Sequence, residues 1–335
     1  MKAYLQKLVA RQNLTPQEAA AAFDTIMSGE ATQAQLGAFL TGLRMKGETT
    51  EEIAAAAQSM RRHAVFVDPR GLPVVDTCGT GGDSLGTFNI STTAAFVVAG
   101  AGVPVAKHGN RSITSKCGSA DVLAALGVNL DAMPEVMEEC IREVGIGFLF
   151  AAKLHPAMKH AMGPRKELGF RTIFNLLGPL TNPAGAKSQV LGVFAPELTE
   201  VFADVLRRLG SSRVFVVHGH DGMDEITVTA ATRVSELRNG TVRTYELDPL
   251  QYVEHLAKPE DLLGGDPATN AAILRAILAG EKGPKRDIVC LNAAAGIVAG
   301  GKAADLQAGF KAACESIDSG RATKALEGLV ARSNA

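Results

Sequence analysis

The stretch that most constrains this chain runs from Asp76 to Thr93 and reads Asp-Thr-Cys-Gly-Thr-Gly-Gly-Asp-Ser-Leu-Gly-Thr-Phe-Asn-Ile-Ser-Thr-Thr. It follows the apolar pair Val74-Val75 and leads into the apolar run from Ala94 to Ala101, which spells a strand, a glycine loop and a helix start. Gly79, Gly81 and Gly82 permit positive φ and let backbone N–H groups approach a ligand. Ser91, Thr92 and Thr93 put hydroxyls at the helix N-terminus, where free N–H groups and the helix dipole favour an anion. The combination predicts a phosphate cradle rather than a plain capped turn. No Lys follows the glycines, so a Walker A reading loses support. Ser84 stands where a dinucleotide fingerprint requires its third glycine.

A second cluster follows the strand-like run Val103–Ala106. It comprises Lys107, His108, Gly109, Asn110, Arg111, Ser112, Thr114, Ser115, Lys116 and Ser119 within one predicted loop ahead of a helix. Arg complements phosphate oxygens with a planar fork and Lys with a point charge. Two such loops after successive strands predict one ligand carrying two phosphate groups. A third cluster, His218-Gly219-His220-Asp221-Gly222-Met223-Asp224-Glu225, places adjacent carboxylates just past the buried strand Val214–Val217. Hard oxygen donors beside phosphates suit Mg²⁺, which keeps several waters and takes few protein ligands. The two histidines raise zinc as an alternative, but no Cys or further His stands at a zinc-ligand spacing nearby.

These three clusters together resemble the anthranilate phosphoribosyltransferases of tryptophan biosynthesis. The resemblance rests on Gly79-Thr80-Gly81-Gly82-Asp83, Lys107-His108-Gly109-Asn110-Arg111 and Asp224-Glu225, and it runs essentially from end to end. In the related pyrimidine nucleoside phosphorylases a Lys-His pair directly precedes Ser-Thr-Gly-Gly, whereas here the Lys-His and Gly-Gly elements lie in separate loops. The resemblance implies phosphoribosyl diphosphate binding by Gly79, Gly82, Asp83, Thr87, Asn89, Ile90, Ser91, Thr92, Lys107, His108, Gly109, Asn110, Arg111, Ser112, Ser115 and Ser119. It implies Mg²⁺ at Ser91, Asp224 and Glu225, and an anthranilate carboxylate paired to Arg165, with Gly79, Asn110, His108 and His155 around the same substrate. His108 is the one candidate proton acceptor, and the amine nucleophile needs no strong base because it is neutral at pH 7. A nucleoside phosphorylase and a non-catalytic nucleic-acid-binding relative remain the rivals.

A chain of 335 residues that is 46% hydrophobic has enough apolar mass for two domains. Its formal net charge of −1 leaves no footprint for nucleic acid or an anionic membrane. Five cysteines at irregular spacing fit a reducing compartment, and no apolar run reaches spanning length, so a cytoplasmic protein is expected.

Residues up to about His63 read as short helices. Thr15-Pro16-Gln17-Glu18 is a capping box, Leu36, Phe39, Leu40 and Leu43 repeat at helical spacing, and Thr49 with Glu52 opens another helix. From Leu72 onward, strand-like runs alternate with helical patterns, at Val74-Val75, Val103–Ala106, Gly147–Ala151, Val190–Phe194, Val214–Val217 and Ile288–Leu291. Asn239-Gly240 marks a hairpin. The expected fold is therefore α/β, with a small all-helical domain (1–66) and a large α/β domain (67–335) around a largely parallel sheet flanked by helices. The resemblance adds a helical excursion near 164–184 and a homodimer built through the N-terminal helices. Gly163-Pro164 reads as a break, with Arg165 just beyond it and Lys166 and Arg171 nearby.

Overall fold

Four helices open the chain in this computed structural model, which describes residues 1–83, 85–112 and 116–335: α1 (Lys2–Val9), α2 (Pro16–Met27), α3 (Gln33–Lys46) and α4 (Thr50–Arg62). The capping boxes at Thr15/Glu18 and Thr49/Glu52 both form, and a third closes at Thr32/Gln35. Leu36, Phe39, Leu40 and Leu43 are at most 1% exposed, so the helical spacing read from the sequence marks the buried face of α3. Glu52 does more than cap. It is fully buried, accepts the Leu14 N–H at 2.9 Å and pairs with Lys46 at 2.8 Å, which ties the loop ahead of α2 to α4.

Seven strands form one sheet: β1 (Val75–Gly79), β2 (Val105–Gly109), β3 (Ile146–Phe150), β4 (Ser188–Gly192), β5 (Arg213–Gly219), β6 (Thr232–Arg238) and β7 (Thr241–Leu247). Their order is β3-β2-β1-β4-β5-β6-β7, parallel from β3 through β5 and antiparallel at β6 and β7. The β6–β7 hairpin turns on Asn239 (φ 51°) and Gly240 (φ 77°), the double positive φ that an Asn-Gly pair tolerates.

Side-chain alternation along the strands splits the interior in two. Val190, Phe215 and Val217 face a core shared with helix α5 (Ile90–Gly100) and the Pro284–Ala299 helix. Leu191, Val193, Val214 and Val216 face the other way, toward the Leu198–Arg208 helix and the N-terminal bundle. Ala161, Ile173, Phe174, Leu177 and Leu180, from the segment between β3 and β4, pack into this second core.

Two sequence expectations fail here. Ile288–Leu291 is not a strand; it lies in the Pro284–Ala299 helix, which is buried on every side from Ile288 to Ala299. A short apolar run has no period that separates a buried strand from a buried helix, and the deciding signal was Pro284 at the first helical position after Gly283. Gly163-Pro164 is not a break either. The Lys159–Leu168 helix runs through Pro164, and Arg165 sits in its last turn, with Gly169 in the left-handed conformation closing it.

Candidate active site

The chain beyond the carboxyl ends of β1, β4 and β5 is shaped by glycines of two kinds. Gly81 and Gly82 take positive φ, 66° and 88°, and turn the chain out of β1. Gly79 has no such need; a Cβ there would lie 2.6 Å from Asp224 Oδ2. Gly192 at the end of β4 likewise abuts the Asp224 backbone. The absent side chains let the Asp224-Glu225 turn approach the glycine loop. Gly81 N–H donates to Asp224 Oδ2 at 2.8 Å, and Ser91 N–H, in the first turn of α5, donates to Glu225 Oε1 at 3.0 Å. Two of the three clusters read from the sequence thus meet directly.

Lys107 and His108 lie in β2 rather than in the loop after it, a correction to the sequence reading. Lys107 is 3% exposed; its Nζ donates to the Thr77 carbonyl and lies 3.4 Å from Ser91 Oγ, beneath the acid pair. Burial lowers the Lys107 pKa, opposed by the charges of Asp76, Cys78 and Glu225. Sequence reasoning missed Asp76 as a participant. It is fully buried, accepts the His108 N–H at 3.0 Å, and is raised by desolvation. An acid inside an apolar strand directly ahead of a glycine loop was the available signal.

The carboxylates are short of positive charge. Burial and then the neighbouring Asp83 charge push Asp224 up to about 7. Burial and then Asp224 push Glu225 up to about 8, with Lys107 opposing. A site of hard oxygens in this condition fits Mg²⁺, with the Ser91 hydroxyl beside it. Among the described residues, no three or more His, Cys, Asp or Glu side chains are arranged to hold a metal unaided. The two histidines of this region are engaged elsewhere: His218 Nδ1 lies 2.7 Å from the Val193 carbonyl, and His220 pairs with Glu246 at 2.8 Å.

The loop after β2 is held largely by its own contacts. Arg111 pairs with Asp121 at 2.9 Å, and the same carboxylate accepts the Ser112 and Gly118 N–H groups at 3.1 and 2.9 Å. Asn110 caps Arg111 N–H at 2.8 Å, and Ser119 Oγ donates to the Asn110 carbonyl at 3.2 Å. Ser115 lies outside the described residues. Asn89 does not present a free amide to a ligand: it donates to the Cys117 carbonyl at 3.1 Å and accepts from Asn270 at 2.9 Å, joining the two loops. Thr92 and Ile90 are each 1% exposed, so Thr92 turns its hydroxyl inward and Ile90 commits its N–H to Phe88 at 2.8 Å. Thr87 forms an isolated bridge with Leu263.

His108 and His155 face each other, with Nε2 atoms 3.2 Å apart. Burial, then the His155 neighbour, depresses His108 to about 3, and burial depresses His155 to about 4. Both rings are neutral at pH 7. The half-buried Arg165 guanidinium stands 5.3 Å from the Phe174 ring centre and makes no ion pair among the described residues. Arg171 stacks over Phe194 at 4.0 Å and donates to the Gly82 carbonyl at 3.1 Å, so it braces the glycine loop rather than standing free in solvent.

Comparison with known proteins is consistent along the whole chain. Residues 2–64 match the glycosyl transferase family helical bundle domain, and residues 71–323 match the glycosyl transferase family a/b domain. Anthranilate phosphoribosyltransferase of Desulfosudis oleivorans is 61% identical over 97% of this chain and 96% of its own length. That of Syntrophobacter fumaroxidans is 59% identical over 98% of each. Among solved structures, the Thermus thermophilus anthranilate phosphoribosyltransferase superposes with a TM-score of 0.94 at 46% identity, covering 99% of both chains. The Saccharomyces cerevisiae enzyme in complex with PRPP and Mg superposes with a TM-score of 0.90 at 30% identity, covering 99% and 97%.

Proposed function

We propose, from the premise that the chain belongs to the anthranilate phosphoribosyltransferases, a division of labour among its own residues. The enzyme transfers the phosphoribosyl group of 5-phosphoribosyl-1-diphosphate to the amine of anthranilate and releases diphosphate, the second step of tryptophan biosynthesis from chorismate. The observation that carries the assignment of roles is the meeting of the glycine loop, the α5 N-terminus and Lys107 with the Asp224-Glu225 pair.

In this reading the glycine loop and the N-terminal end of α5 face the diphosphate, with Lys107 supplying charge from below. Asp224 and Glu225, with Ser91 beside them, would hold Mg²⁺ there, and the ion would supply positive charge to offset that of the diphosphate leaving group. Breaking the anomeric C–O bond leaves positive character at carbon and negative charge on the leaving group, so preorganised N–H donors contribute most where that charge grows. Anthranilate enters neutral at its amine, and its carboxylate pairs with Arg165. In the same reading the neutral His108–His155 pair lies beside the aromatic acid and accepts a proton only weakly. The remainder of the rate comes from holding amine and anomeric carbon in line.

The exposed Val9 and Met45 of the N-terminal bundle, 85% and 67% accessible, support a homodimer formed through these helices; sedimentation velocity would report it. A cytoplasmic location agrees with five free cysteines. No helix among the described residues is long and apolar enough to cross a membrane. The deciding assay follows diphosphate release with Mg²⁺, phosphoribosyl diphosphate and a panel of acceptors. Release that requires anthranilate supports the reading. Phosphorolysis of pyrimidine nucleosides without it would assign the chain to the phosphorylases.

A further inference from the structure

Far from the acid pair, two thiols meet between helices Pro284–Ala299 and Leu306–Asp318. Cys290 Sγ and Cys314 Sγ lie 3.7 Å apart. The two helices approach closely here: a Cβ on Gly309 would stand 2.7 Å from the Ala294 carbonyl. One turn before Cys290, the buried Arg286 forks onto Asp318, one turn after Cys314, at 2.7 and 2.9 Å, and fixes the register of the pair. Cys290 is 1% exposed, whereas Cys314 is partly open to solvent.

We propose that Cys290 and Cys314 are an oxidative modification site, at which a hydroperoxide converts the pair to a reversible disulfide linking the two helices. The Cys314 thiolate attacks the peroxide, the O–O bond breaks, and Cys314 becomes a sulfenic acid as the other oxygen, taking a proton, leaves as water from hydrogen peroxide or as the alcohol from an organic hydroperoxide. Cys290 then attacks the Cys314 sulfur, the S–O bond breaks, and the second oxygen leaves as water. Two thiols give up two electrons and two protons, and the hydroperoxide is reduced; no other oxidant is needed. A dithiol reductant restores the pair by exchange.

The order of events follows from the surroundings. The Cys290 thiol and the Arg286 guanidinium hold Cys314 below the usual thiol range, while hydrogen bonding to Cys314 and burial push Cys290 up. Burial raises Cys78, and pushes Cys117 and Cys140 up to about 11, so the other three thiols are poor nucleophiles.

The test treats the purified native enzyme with hydrogen peroxide, alkylates it under denaturing conditions and maps tryptic peptides. Peptides 287–302 and 312–321 each carry one of the two cysteines. They are expected as a linked species, two hydrogens lighter than their sum, that forms about tenfold or more faster than Cys117 or Cys140 is modified and disappears on reduction. Cys290→Ala, checked for folding by thermal unfolding, is expected to halt at a Cys314 sulfenic acid that a cyclic diketone traps. In Cys314→Ser, Cys290 is expected to stay alkylatable. Over-oxidation of Cys314 with Cys290 still a free thiol in the native enzyme, or oxidation of Cys290 at an equal rate in Cys314→Ser, overturns the proposal.

Discussion

Asn292 closes both backbone hydrogen-bonding groups of Ile226, accepting its N–H at 2.9 Å and donating to its carbonyl at 2.8 Å. Asn292 is 2% exposed and belongs to the Pro284–Ala299 helix, while Ile226 directly follows Glu225. A buried amide thus fixes the backbone from which the acid pair projects, and Gly81 and Ser91 N–H groups hold the carboxylates from the opposite side. Supporting contacts of this kind typically change metal affinity by about 10–100-fold when lost. Asn292→Ala is expected to raise the Mg²⁺ concentration for half-maximal rate by roughly tenfold, with the Michaelis constant for anthranilate little changed. Asn292→Asp, which keeps the acceptor for Ile226 N–H, is expected to recover part of the loss. Equal damage to both parameters would reduce Asn292 to a core residue.

Burial raises both Asp224 and Glu225, and a neighbouring charge adds to each, Asp83 to the first and Asp224 to the second. Removing one negative charge relieves the protein without metal and harms the loaded enzyme, as site residues often trade stability for function. Asp224→Asn is expected to unfold at a higher temperature than the native chain in chelator and to need more Mg²⁺ for activity. A lower melting temperature in chelator, or an unchanged Mg²⁺ requirement, would remove Asp224 from the metal site.

Gly82 carries two constraints at once. Its φ is 88°, and a Cβ would meet Arg171 Nη2. Gly82→Val is therefore expected to abolish phosphoribosyl diphosphate binding in a calorimetric titration. Arg171→Ala removes the collision partner but not the backbone strain, so the double variant is expected to stay inactive. Recovery of binding in the double variant would place the whole cost in the contact with Arg171.

Arg165 has no carboxylate partner among the described residues and is lowered by burial, so its charge is poorly compensated before a substrate arrives. A charge-assisted bond is typically worth about 1.5–3 kcal/mol. Arg165→Ala is expected to raise the Michaelis constant for anthranilate by about one to two decades, with that for phosphoribosyl diphosphate moving much less. A shift of both together would indicate damage to the helix that carries it.

What could be read before the structure was local. Capping boxes, the Asn239-Gly240 turn and the glycine loop each write their geometry within a few residues, and five of the six expected strand runs lie in or overlap β1 to β5. The contacts that organise the candidate site are not local. Asp76 meets His108 across 32 residues, and Asn292 meets Ile226 across 66. Nothing in the period of a four-residue apolar run reveals that Ile288–Leu291 is helical, and Pro164 disguised a continuous helix as a break. Motif residues also changed employment on folding: Asn89 and Arg111 read as ligand-binding groups, yet they already hold protein partners.

The His108–His155 pair makes a prediction about acid. Folded, the rings are depressed to about 3 and about 4 by burial, with His155 adding to the effect on His108. Lys107 also opposes protonation of His108, and backbone contacts at Gly178 and Thr181 raise the two rings without overcoming burial. Unfolded, each takes a proton near pH 6.5. Between pH 6.5 and 4 the unfolded chain thus binds up to two more protons at these positions than the native chain does. The stability they contribute is fully present above pH 6.5 and is lost as pH falls through this window. Each histidine adds at most about 1.4 kcal/mol per pH unit to the slope. Asp76, raised by desolvation, acts in the opposite sense, but His155→Gln leaves it in place, so the difference between proteins reports the histidine pair, His108 included, since His155 also depresses it. Chemical denaturation at several pH values is expected to show a shallower acid loss for His155→Gln by about one proton. An identical pH slope in both proteins would mean that His155 is protonated in the folded state, and would reopen the pair as a proton acceptor in the reaction.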